Sequence, residues 1–369
     1  MTISHHEEAE RANRCYLVGP FSSESRRAAE VSLQELENLC SAAGLRPVGG
    51  ELVRVRRPQA ALYLGQGQTE RIVAAAQEAE ASIIVFDRAL SAMQLRNWAR
   101  ASKREVYDRH AVILEIFSSR ARTREAQLQV ELARAEYAQS HLAGMWQHLS
   151  RQGGGSRLAR GEGEKQIEMD RRQLSKRVQK ARKALERVGR QRQLRRRRRD
   201  GMFRVALVGY TNAGKSSLMN RLTTSGVRAA DQLFATLDPT TRRLYVGEDT
   251  IVLLSDTVGF VRRLPPELVE AFHSTLEEVT EANLVLLVVD AADPHGQDAL
   301  NTTEEILDSL GARNIPAVLV LNKVDRASPG DRATVDASAH YTQVVHTSAL
   351  TGEGIEELRD IIADAVGRS

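Results

Sequence analysis

The phosphate-loop sequence at residues 209–216 is the feature that most narrows what this chain can fold into. Residues 203–208 (FRVALV) form an apolar run typical of a buried strand, and this run leads directly into GYTNAGKS. The pattern GxxxxGK[ST] predicts a strand, a glycine-rich loop and a helix, in that order. The loop amides and the helix N-terminus would surround phosphate groups. Lys215 would reach the β and γ phosphates of a nucleotide, and the Ser216 hydroxyl would bind Mg²⁺.

Further apolar runs follow the phosphate loop and alternate with helical patterns. They occupy residues 250–254, 284–289, 317–321 and 343–345. Strands that helices cover on both faces have this continuous apolar character. We therefore predict a P-loop domain with a doubly wound, mostly parallel sheet over residues 201–369.

The segment that follows the predicted strand 250–254 contains two residues that are candidates for contacts with the metal and the terminal phosphate. Asp256 can hold Mg²⁺ directly or through water, and the Gly259 amide can sense the γ phosphate. A further metal ligand could come from any of the threonines between the phosphate loop and this strand, which are Thr236, Thr240 and Thr241. Sequence order alone does not choose among them.

The base would be recognised by two short motifs that follow the last two predicted strands. In Asn322-Lys323-Val324-Asp325, the Asp325 carboxylate can accept hydrogen bonds from guanine N1–H and the 2-amino group. Adenine offers no such pair and would leave the carboxylate unpaired, so discrimination should be large. In Thr347-Ser348-Ala349 a backbone N–H can meet guanine O6. The chain is therefore predicted to bind GTP and GDP.

Position 260 predicts slow intrinsic hydrolysis. In Ras-type sites a glutamine at this position orients the attacking water, but here it is Phe260. Another residue, a cation or a partner would have to complete the site. Asn212 matches the phosphate-loop asparagine of potassium-activated GTPases, so K⁺ is a candidate cofactor beside Mg²⁺.

The first part of the chain, residues 1–119, predicts a separate small α/β domain. Strands are expected at residues 15–19, 82–86 and 111–116, and a helix at residues 25–42. The sequence GQGQ at residues 65–68 has two glycines where a nucleotide-binding fingerprint has three, so we interpret it as a turn.

Residues 120–200 predict an antiparallel helical hairpin that forms a projecting arm. Apolar stripes of helical spacing run through residues 128–149 and 167–188, and glycines at positions 153–155, 161 and 163 separate them. We expect two helices of about 25 to 30 residues, each about 40 Å long, with no helix persisting through the glycines. The alternative is that each stripe packs on the globular domains or on another chain.

The charge of the chain is concentrated in this arm. Residues 157–200 hold 18 Lys and Arg against 6 Asp and Glu, a net charge of +12, whereas the remaining residues carry −8. Such a segment attracts phosphate, although a solvated face without a partner has the same composition. Aromatic residues make up only 4% of the chain, so contacts with nucleic acid should be ionic rather than stacked.

Composition also excludes several classes of protein. The two cysteines, Cys15 and Cys40, cannot form a disulfide framework, and neither belongs to a CxxC zinc motif. The polar first residues and the short length of the longest aliphatic run, residues 284–289, lead us to expect neither a signal peptide nor a membrane-spanning segment. We expect a cytoplasmic monomer that does not insert into membranes.

Five stretches of the sequence resemble the HflX-type ribosome-associated GTPases. They are residues 120–125 (RARTRE), 150–155 (SRQGGG), 170–172 (DRR), 234–240 (FATLDPT) and 256–260 (DTVGF). The resemblance implies that Thr236 is the Mg²⁺-binding threonine. It also implies that GTP promotes binding to rRNA of the large ribosomal subunit, separation of stalled or idle ribosomes, and release after hydrolysis.

Together, these motifs and the resemblance define the predicted site. The catalytic residues are expected to be Lys215, Thr236 and Gly259, and the metal ligands Ser216, Thr236 and Asp256. The nucleotide is expected to contact Gly209, Tyr210, Thr211, Asn212, Ala213, Gly214, Lys215, Ser216, Phe234, Ala235, Thr236, Leu237, Asp238, Asp256, Thr257, Val258, Gly259, Asn322, Lys323, Val324, Asp325, Thr347, Ser348 and Ala349.

Two alternative functions fit the same sequence. One is a GTP-gated factor that occupies the large subunit and prevents subunit association during hibernation. The other is a GTPase of RNA modification or signalling whose arm binds a protein. The basic arm favours the readings with a ribosomal partner.

Overall fold

The described part of the chain forms two compact units. A computed structural model describes residues 12–22, 25–151, 157–196, 201–223, 234, 237, 240–247, 250–263, 265, 268, 273–327 and 341–368. One unit contains the residues up to Ser119 together with Leu128–Ala184, and the other contains Arg120–Gln127 and Leu185–Ser369.

The first unit contains a parallel four-stranded sheet with the order β2-β1-β3-β4. Its strands are β1 (Arg14–Phe21), β2 (Arg46–Arg54), β3 (Ile83–Phe86) and β4 (Glu105–Asp108). The helices of this α/β fold are α1 (Arg26–Ala42), α2 (Gln66–Glu78), α3 (Ala92–Ser102) and α4 (Arg109–Arg120). The predicted strands at residues 15–19 and 82–86 and the predicted helix at residues 25–42 are present.

The strand predicted at residues 111–116 is wrong, because these residues form part of α4. The edge position beside β3 is taken instead by β4, and the Asp108 carboxylate accepts a hydrogen bond from the Ala111 amide (2.9 Å), which starts the helix. A short apolar run fits a buried helix as well as a buried strand. Here α4 is buried on much of its circumference, at Val112, Ile113, Leu114, Ile116 and Phe117.

Strand β2 was missed because its sequence, RPVGGELVR, contains residues that are rare inside strands. It is an edge strand, where proline and glycine are tolerated. A side chain at Gly50 would lie only 2.9 Å from Leu17 Cβ, so the glycine permits close approach of β2 to β1.

The predicted turn at residues 65–68 is the start of helix α2. The Gln68 side chain accepts a hydrogen bond from the Gly65 amide (3.1 Å) and donates one to the Arg54 carbonyl (3.0 Å). Gln68 therefore caps the helix and ties its first turn to the end of β2.

Helices α5 (Arg124–Arg151) and α6 (Arg157–Arg196) occupy the segment predicted to form the helical hairpin, which we continue to call the arm. Within the first unit they run antiparallel, since Glu136 pairs with Arg182 (2.7 Å) and Gln139 with Ser175 (3.2 Å). Near the middle of α5, the Tyr137 hydroxyl donates to Asp108 (2.9 Å), so this part of α5 packs on the α/β fold of the first unit, as the alternative interpretation expects.

Helix α6 differs from the prediction in its length and in its path through two glycines. Helix α6 is 40 residues long and continues through Gly161 and Gly163, where we had expected no helix. Each glycine costs about 1 kcal/mol relative to alanine in a helix, and residues such as Arg160, Glu162 and Glu164 around them are good helix formers. The predicted tip at residues 153–155 lies outside the described residues.

The second unit contains a six-stranded sheet with the order β10-β9-β8-β5-β7-β6. Its strands are β5 (Arg204–Gly209), β6 (Thr240–Tyr245), β7 (Ile251–Asp256), β8 (Leu284–Asp290), β9 (Ala317–Asn322) and β10 (Gln343–His346). Only β6 is antiparallel among these strands. This confirms the predicted mostly parallel sheet, with the antiparallel edge as an addition.

Helices cover both faces of this sheet, as the doubly wound prediction requires. One apolar core contains residues of α7 (Lys215–Thr223) and α10 (Ile355–Gly367). The other contains residues of α8 (His273–Thr280) and α9 (Gly296–Ser309). Across the described ranges, no helix is long and apolar enough to cross a bilayer.

A buried ion cluster stabilises the first unit. The Arg109 guanidinium, 1% exposed, pairs with Asp87 (2.6 Å) and Glu35 (2.8 Å), and the Ser32 hydroxyl donates to the other Asp87 oxygen (2.5 Å). Two carboxylates in this environment depend on one cation for their charge balance.

We predict that Arg109→Ala lowers the free energy of unfolding of the first unit by about 3 to 5 kcal/mol, because it leaves two buried carboxylates uncompensated. Both tryptophans of the chain, Trp98 and Trp146, belong to this unit, so tryptophan fluorescence during urea denaturation reports on it. The matched control is Arg26→Ala, which removes an exposed pair with Glu30 and should cost no more than about 0.5 kcal/mol. Equal effects of the two substitutions would contradict the role of the cluster.

Candidate guanine-nucleotide site

Several of the described residues predicted for the site lie at one end of the six-stranded sheet. Strands β5, β7, β8, β9 and β10 are parallel, so their carboxyl ends meet at the same edge. These ends carry Gly209, Asp256, Asp290, Asn322 and His346. In open α/β sheets, ligands bind in the crevice at this edge.

Lys215 is the first residue of α7 and lies under the phosphate loop. Its Nζ donates hydrogen bonds to the carbonyl oxygens of Gly209 (3.0 Å) and Tyr210 (2.8 Å). Burial lowers the pKa of the Lys215 ammonium to about 8, an effect that the Asp256 carboxylate opposes and the Lys323 cation strengthens. The phosphates of a nucleotide would favour the charged form of this lysine.

Gly214 and Asn322 hold the phosphate loop against the loops predicted to bind the base. Gly214 has φ +93°, and a Cβ there would lie 2.2 Å from Asn322 Nδ2, so the position requires glycine. The buried Asn322 amide donates to the Ala213 carbonyl (2.9 Å) and accepts from the Ala349 amide (3.1 Å). One side chain thus connects three of the predicted motifs.

The carboxylate predicted to read guanine is held by the neighbouring loop. The Ser348 hydroxyl donates to Asp325 Oδ1 (2.5 Å), and the Val324 amide donates to the Thr347 carbonyl (3.2 Å). Asp325 is thereby oriented before any nucleotide binds, which limits the entropy lost on binding.

The predicted metal ligands Ser216 and Asp256 are adjacent. The Ser216 hydroxyl donates to Asp256 Oδ2 (2.6 Å), and Asp256 is 1% exposed. A hydroxyl and a carboxylate are hard oxygen donors, the set that Mg²⁺ prefers, so these two residues fit the ion. Next to them, the Thr257 hydroxyl donates to the Leu207 carbonyl (2.7 Å) and contributes to packing of the strand ends.

The segment between the phosphate loop and β6 is only partly described. Phe234 and Leu237 are buried, at 2% and 3% exposure. The predicted residues Ala235, Thr236 and Asp238 lie outside the described residues, so the metal-binding threonine stays a prediction.

Gly259 and Phe260 lie beside the phosphate loop, with different consequences. A Cβ at Gly259 would be 2.9 Å from Thr211 Cα and 3.0 Å from Lys215 Nζ, which brings the Gly259 backbone to the loop. Phe260 is 1% exposed and packs in the core with α8 and α9, while its carbonyl accepts from the Thr211 amide (2.8 Å). The Phe260 side chain therefore serves packing and cannot orient a water molecule.

Tyr210 and Asn212 complete the described phosphate loop. The Tyr210 hydroxyl accepts a hydrogen bond from the Arg262 amide (2.7 Å), which links the loop to the segment after Phe260. Asn212 has φ +63° and is exposed. Its backbone conformation presents this side chain at the surface of the loop.

Two contributors to the site were missed in the sequence. Asp290 forms an ion pair with Lys323 (2.8 Å), and Arg221 on α7 donates to the Thr351 carbonyl (3.0 Å) behind Ser348. Asp290 could have been noticed, because it directly follows the strand predicted at residues 284–289, at the same sheet edge. Arg221 gave no such signal, since an arginine on a helix is usually solvated.

Comparison with known proteins gives matches along nearly the whole chain. Residues 30–118 match the family "GTP-binding GTPase N-terminal", residues 120–199 match "GTP-binding GTPase Middle Region", and residues 204–323 match "50S ribosome-binding GTPase". The GTPase HflX of Spirochaeta thermophila is 45% identical over 365 residues, covering 98% of this chain and 88% of the relative. That of Escherichia coli is 44% identical, covering 88% of this chain and 77% of the relative.

This chain belongs to the HflX family of GTPases. The predicted resemblance is therefore confirmed, and the protein is a GTP hydrolase that binds GTP and GDP. A solved GTP-binding protein from Sulfolobus solfataricus, in complex with GDP, is 24% identical to this HflX chain with a TM-score of 0.47, covering 97% of this chain and 100% of the other.

We predict that Asp325→Asn in this HflX protein weakens GTP binding at least about 100-fold and creates binding of xanthosine triphosphate, because the amide can donate to the xanthine 2-oxo group. Competition against a fluorescent GDP measures both affinities. Asp308→Asn, a substitution at an exposed pair with Arg313 in the same unit, is the control and should change neither. Retained preference for GTP in the Asp325 variant would contradict the assignment of this carboxylate.

Proposed function

We propose that this HflX protein is a Mg²⁺-dependent GTPase whose GTP-bound form binds rRNA of the large ribosomal subunit and separates stalled or idle ribosomes. Hydrolysis then permits release, and the protein acts in the cytoplasm as a monomer. Family membership and the match to a "50S ribosome-binding GTPase" family support the ribosomal partner. The observation that carries the proposal is the cationic surface of the arm.

Four cations form one stripe on helix α6. Arg172, Lys176, Lys180 and Lys183 are all exposed. At 3.6 residues per turn they fall within an arc of about 80°, over about 16 Å of helix. The same spacing continues in the sequence at Arg187 and Arg190. We call the first four residues the cationic stripe.

The stripe lies opposite the apolar face of α6. That face carries the buried residues Val178 and Ala181, so the cations point away from the contact with α5. Arg172 pairs with Glu168 (2.7 Å), but among the described residues no acidic side chain pairs with Lys176, Lys180 or Lys183. Their charge is available to an anionic partner.

Phosphate is the anion that best fits this surface. The stripe contains no aromatic residue that would stack on bases, and lysine binds phosphate as a flexible point charge. Contacts of this kind give affinity without base specificity and release counterions from RNA. This supports folded RNA as the partner over an unidentified protein.

The geometry of the nucleotide site supports dependence on a partner for hydrolysis. Lys215 would stabilise charge on the β and γ phosphates, and the Gly259 amide would contact the γ phosphate. Ser216 and Asp256, together with Thr236, would hold Mg²⁺, which neutralises phosphate charge when bound. Because the Phe260 side chain is buried in the core, the water must be oriented by a group from elsewhere, and we assign this completion to the ribosome.

The proposal predicts binding to isolated large subunits that depends on both nucleotide and salt. Co-sedimentation should be stronger with a non-hydrolysable GTP analogue than with GDP. Replacing Lys176, Lys180 and Lys183 with Gln should reduce the slope of log affinity against log salt by about 2 to 3. The matched control replaces three exposed arginines of the first unit, Arg27, Arg56 and Arg57, with Gln, and should leave the slope nearly unchanged.

Binding that ignores both nucleotide and salt would contradict the rRNA partner, as would equal slopes for the two triple variants. Light scattering by intact ribosomes then separates active splitting from capture of free subunits. Splitting predicts a fall in scattering that is faster than spontaneous dissociation of the subunits.

We also propose K⁺ as a second cation, held at the phosphate loop with Asn212, where it would take the place of an arginine finger. The exposed position of Asn212 in the loop supports this role. GTP turnover should be at least about tenfold faster in K⁺ than in Na⁺, and Asn212→Ala should remove the difference. Equal turnover of the unaltered protein in the two salts would exclude the proposal.

A further inference from the structure

We propose that Asp290 is a positioning residue for guanine-nucleotide binding, which it controls by holding the side chain of Lys323. The inference rests on the proposed nucleotide site, since Lys323 belongs to the motif that would contact the base. Asp290 was absent from the predicted site, and it acts through its neighbour rather than on the nucleotide.

The sheet places Asp290 next to the base-binding motif. Asp290 is the last residue of β8 and lies opposite Asn322, the last residue of β9. The Ala291 amide donates to the Asn322 carbonyl (2.7 Å), so the two segments remain paired where β8 and β9 end. Lys323 therefore begins its loop directly beside the Asp290 carboxylate.

Both oxygens of the Asp290 carboxylate are held by neighbouring groups. Asp290 Oδ1 accepts a hydrogen bond from the Ala292 amide (2.9 Å), and Oδ2 lies 2.8 Å from Lys323 Nζ. The two side chains are only 21% and 16% exposed, so water and salt screen this pair less than a surface pair. A pair of this kind can define the direction of the long lysine side chain.

Lys323 needs such a constraint because of its backbone and its surroundings. Its φ of +66° is in the left-handed region, which is uncommon for a residue with a side chain. Its Cε lies 3.7 Å from the position of a Cβ at Gly214, so the aliphatic stem passes over the phosphate loop. The Lys323 stem thus lies beside the phosphate loop, two residues before Asp325 in the sequence.

Asp290 also balances the positive charge of Lys323. The Lys323 cation is close enough to Lys215 to lower the pKa of that lysine, so the two ammonium groups repel each other. Without Asp290, the Lys323 ammonium would lose its fixed anchor while this repulsion remained. The aliphatic stem of Lys323 would then move away from the phosphate loop, and its apolar contact at Gly214 would be lost.

The consequence is a specific kinetic signature. Lys323 would contact the part of the nucleotide that GTP and GDP share, so loss of its position should weaken both equally. Such uniform binding affects KM more than kcat. A residue needed for transition-state charge would instead lower kcat.

The test measures dissociation of fluorescent GDP and of a fluorescent non-hydrolysable GTP analogue from the full chain. For Asp290→Ala we expect both rates to rise by about 3- to 10-fold, with KM rising by more than kcat falls. Asp290→Glu should restore part of the effect. Asp308→Ala removes the pair with Arg313 (2.5 Å) in the same unit and should leave the rates unchanged.

A double-substitution cycle with Lys323→Ala decides whether Asp290 acts through Lys323. If it does, Asp290→Ala adds little once Lys323 is alanine. Unchanged dissociation in Asp290→Ala, while Lys323→Ala is fast, would overturn the positioning role, as would independent effects in the double variant. If Lys323→Ala has no effect and Asp325→Asn retains GTP preference, the proposed nucleotide site itself fails. Asp290→Asn, which keeps the size of the side chain, repeats the test if the alanine variant does not fold.

Discussion

The hydrogen bonds of one buried amide, that of Asn322, hold the nucleotide end of the sheet together. Asn322 donates to the phosphate loop at Ala213 and accepts from the base loop at Ala349, and the backbone of Gly214 passes too close to it for any side chain. Buried amides that lose a partner are costly, so this link is strong for its size. The phosphate loop and the loop predicted to bind the base are therefore positioned relative to each other by Asn322 rather than by a ligand.

Within the described part of the chain, no side chain at position 260 can orient the attacking water. Lys215 and Gly259 lie together at the phosphate loop, and Ser216 and Asp256 form an oxygen pair suited to Mg²⁺. Phe260, in contrast, is committed to the core. Under the proposed function, the site binds nucleotide and needs a partner to orient water, which is the behaviour expected of a switch. The cationic stripe of α6 is the described surface that best fits such a partner. Within the first unit, the Tyr137 hydroxyl joins α5, the helix that pairs with α6, to the α/β fold.

Much of this arrangement could be predicted from the sequence, because phosphate chemistry demands particular residues at fixed spacing. The phosphate loop, Asp256 and the Asn322 motif were all recognised as ends of apolar strands, and the sheet brings them together. The errors have physical causes. Residues 111–116 are apolar enough for either a strand or a helix, and β2 carries glycines that its close approach to β1 requires. Asp290 and Arg221 were missed because their roles depend on which residues the fold places beside them, and no local pattern records that.

An equilibrium titration of the unaltered chain with GDP, IDP and ADP tests whether Asp325 recognises guanine within a site preformed by Asn322. Hypoxanthine keeps the N1–H group and lacks the 2-amino group, whereas adenine lacks both donors. If Asp325 recognises guanine, GDP binds tightest, IDP binds with intermediate affinity, and ADP binds more weakly than GDP by at least about 100-fold. Equal affinities for GDP and ADP would contradict it.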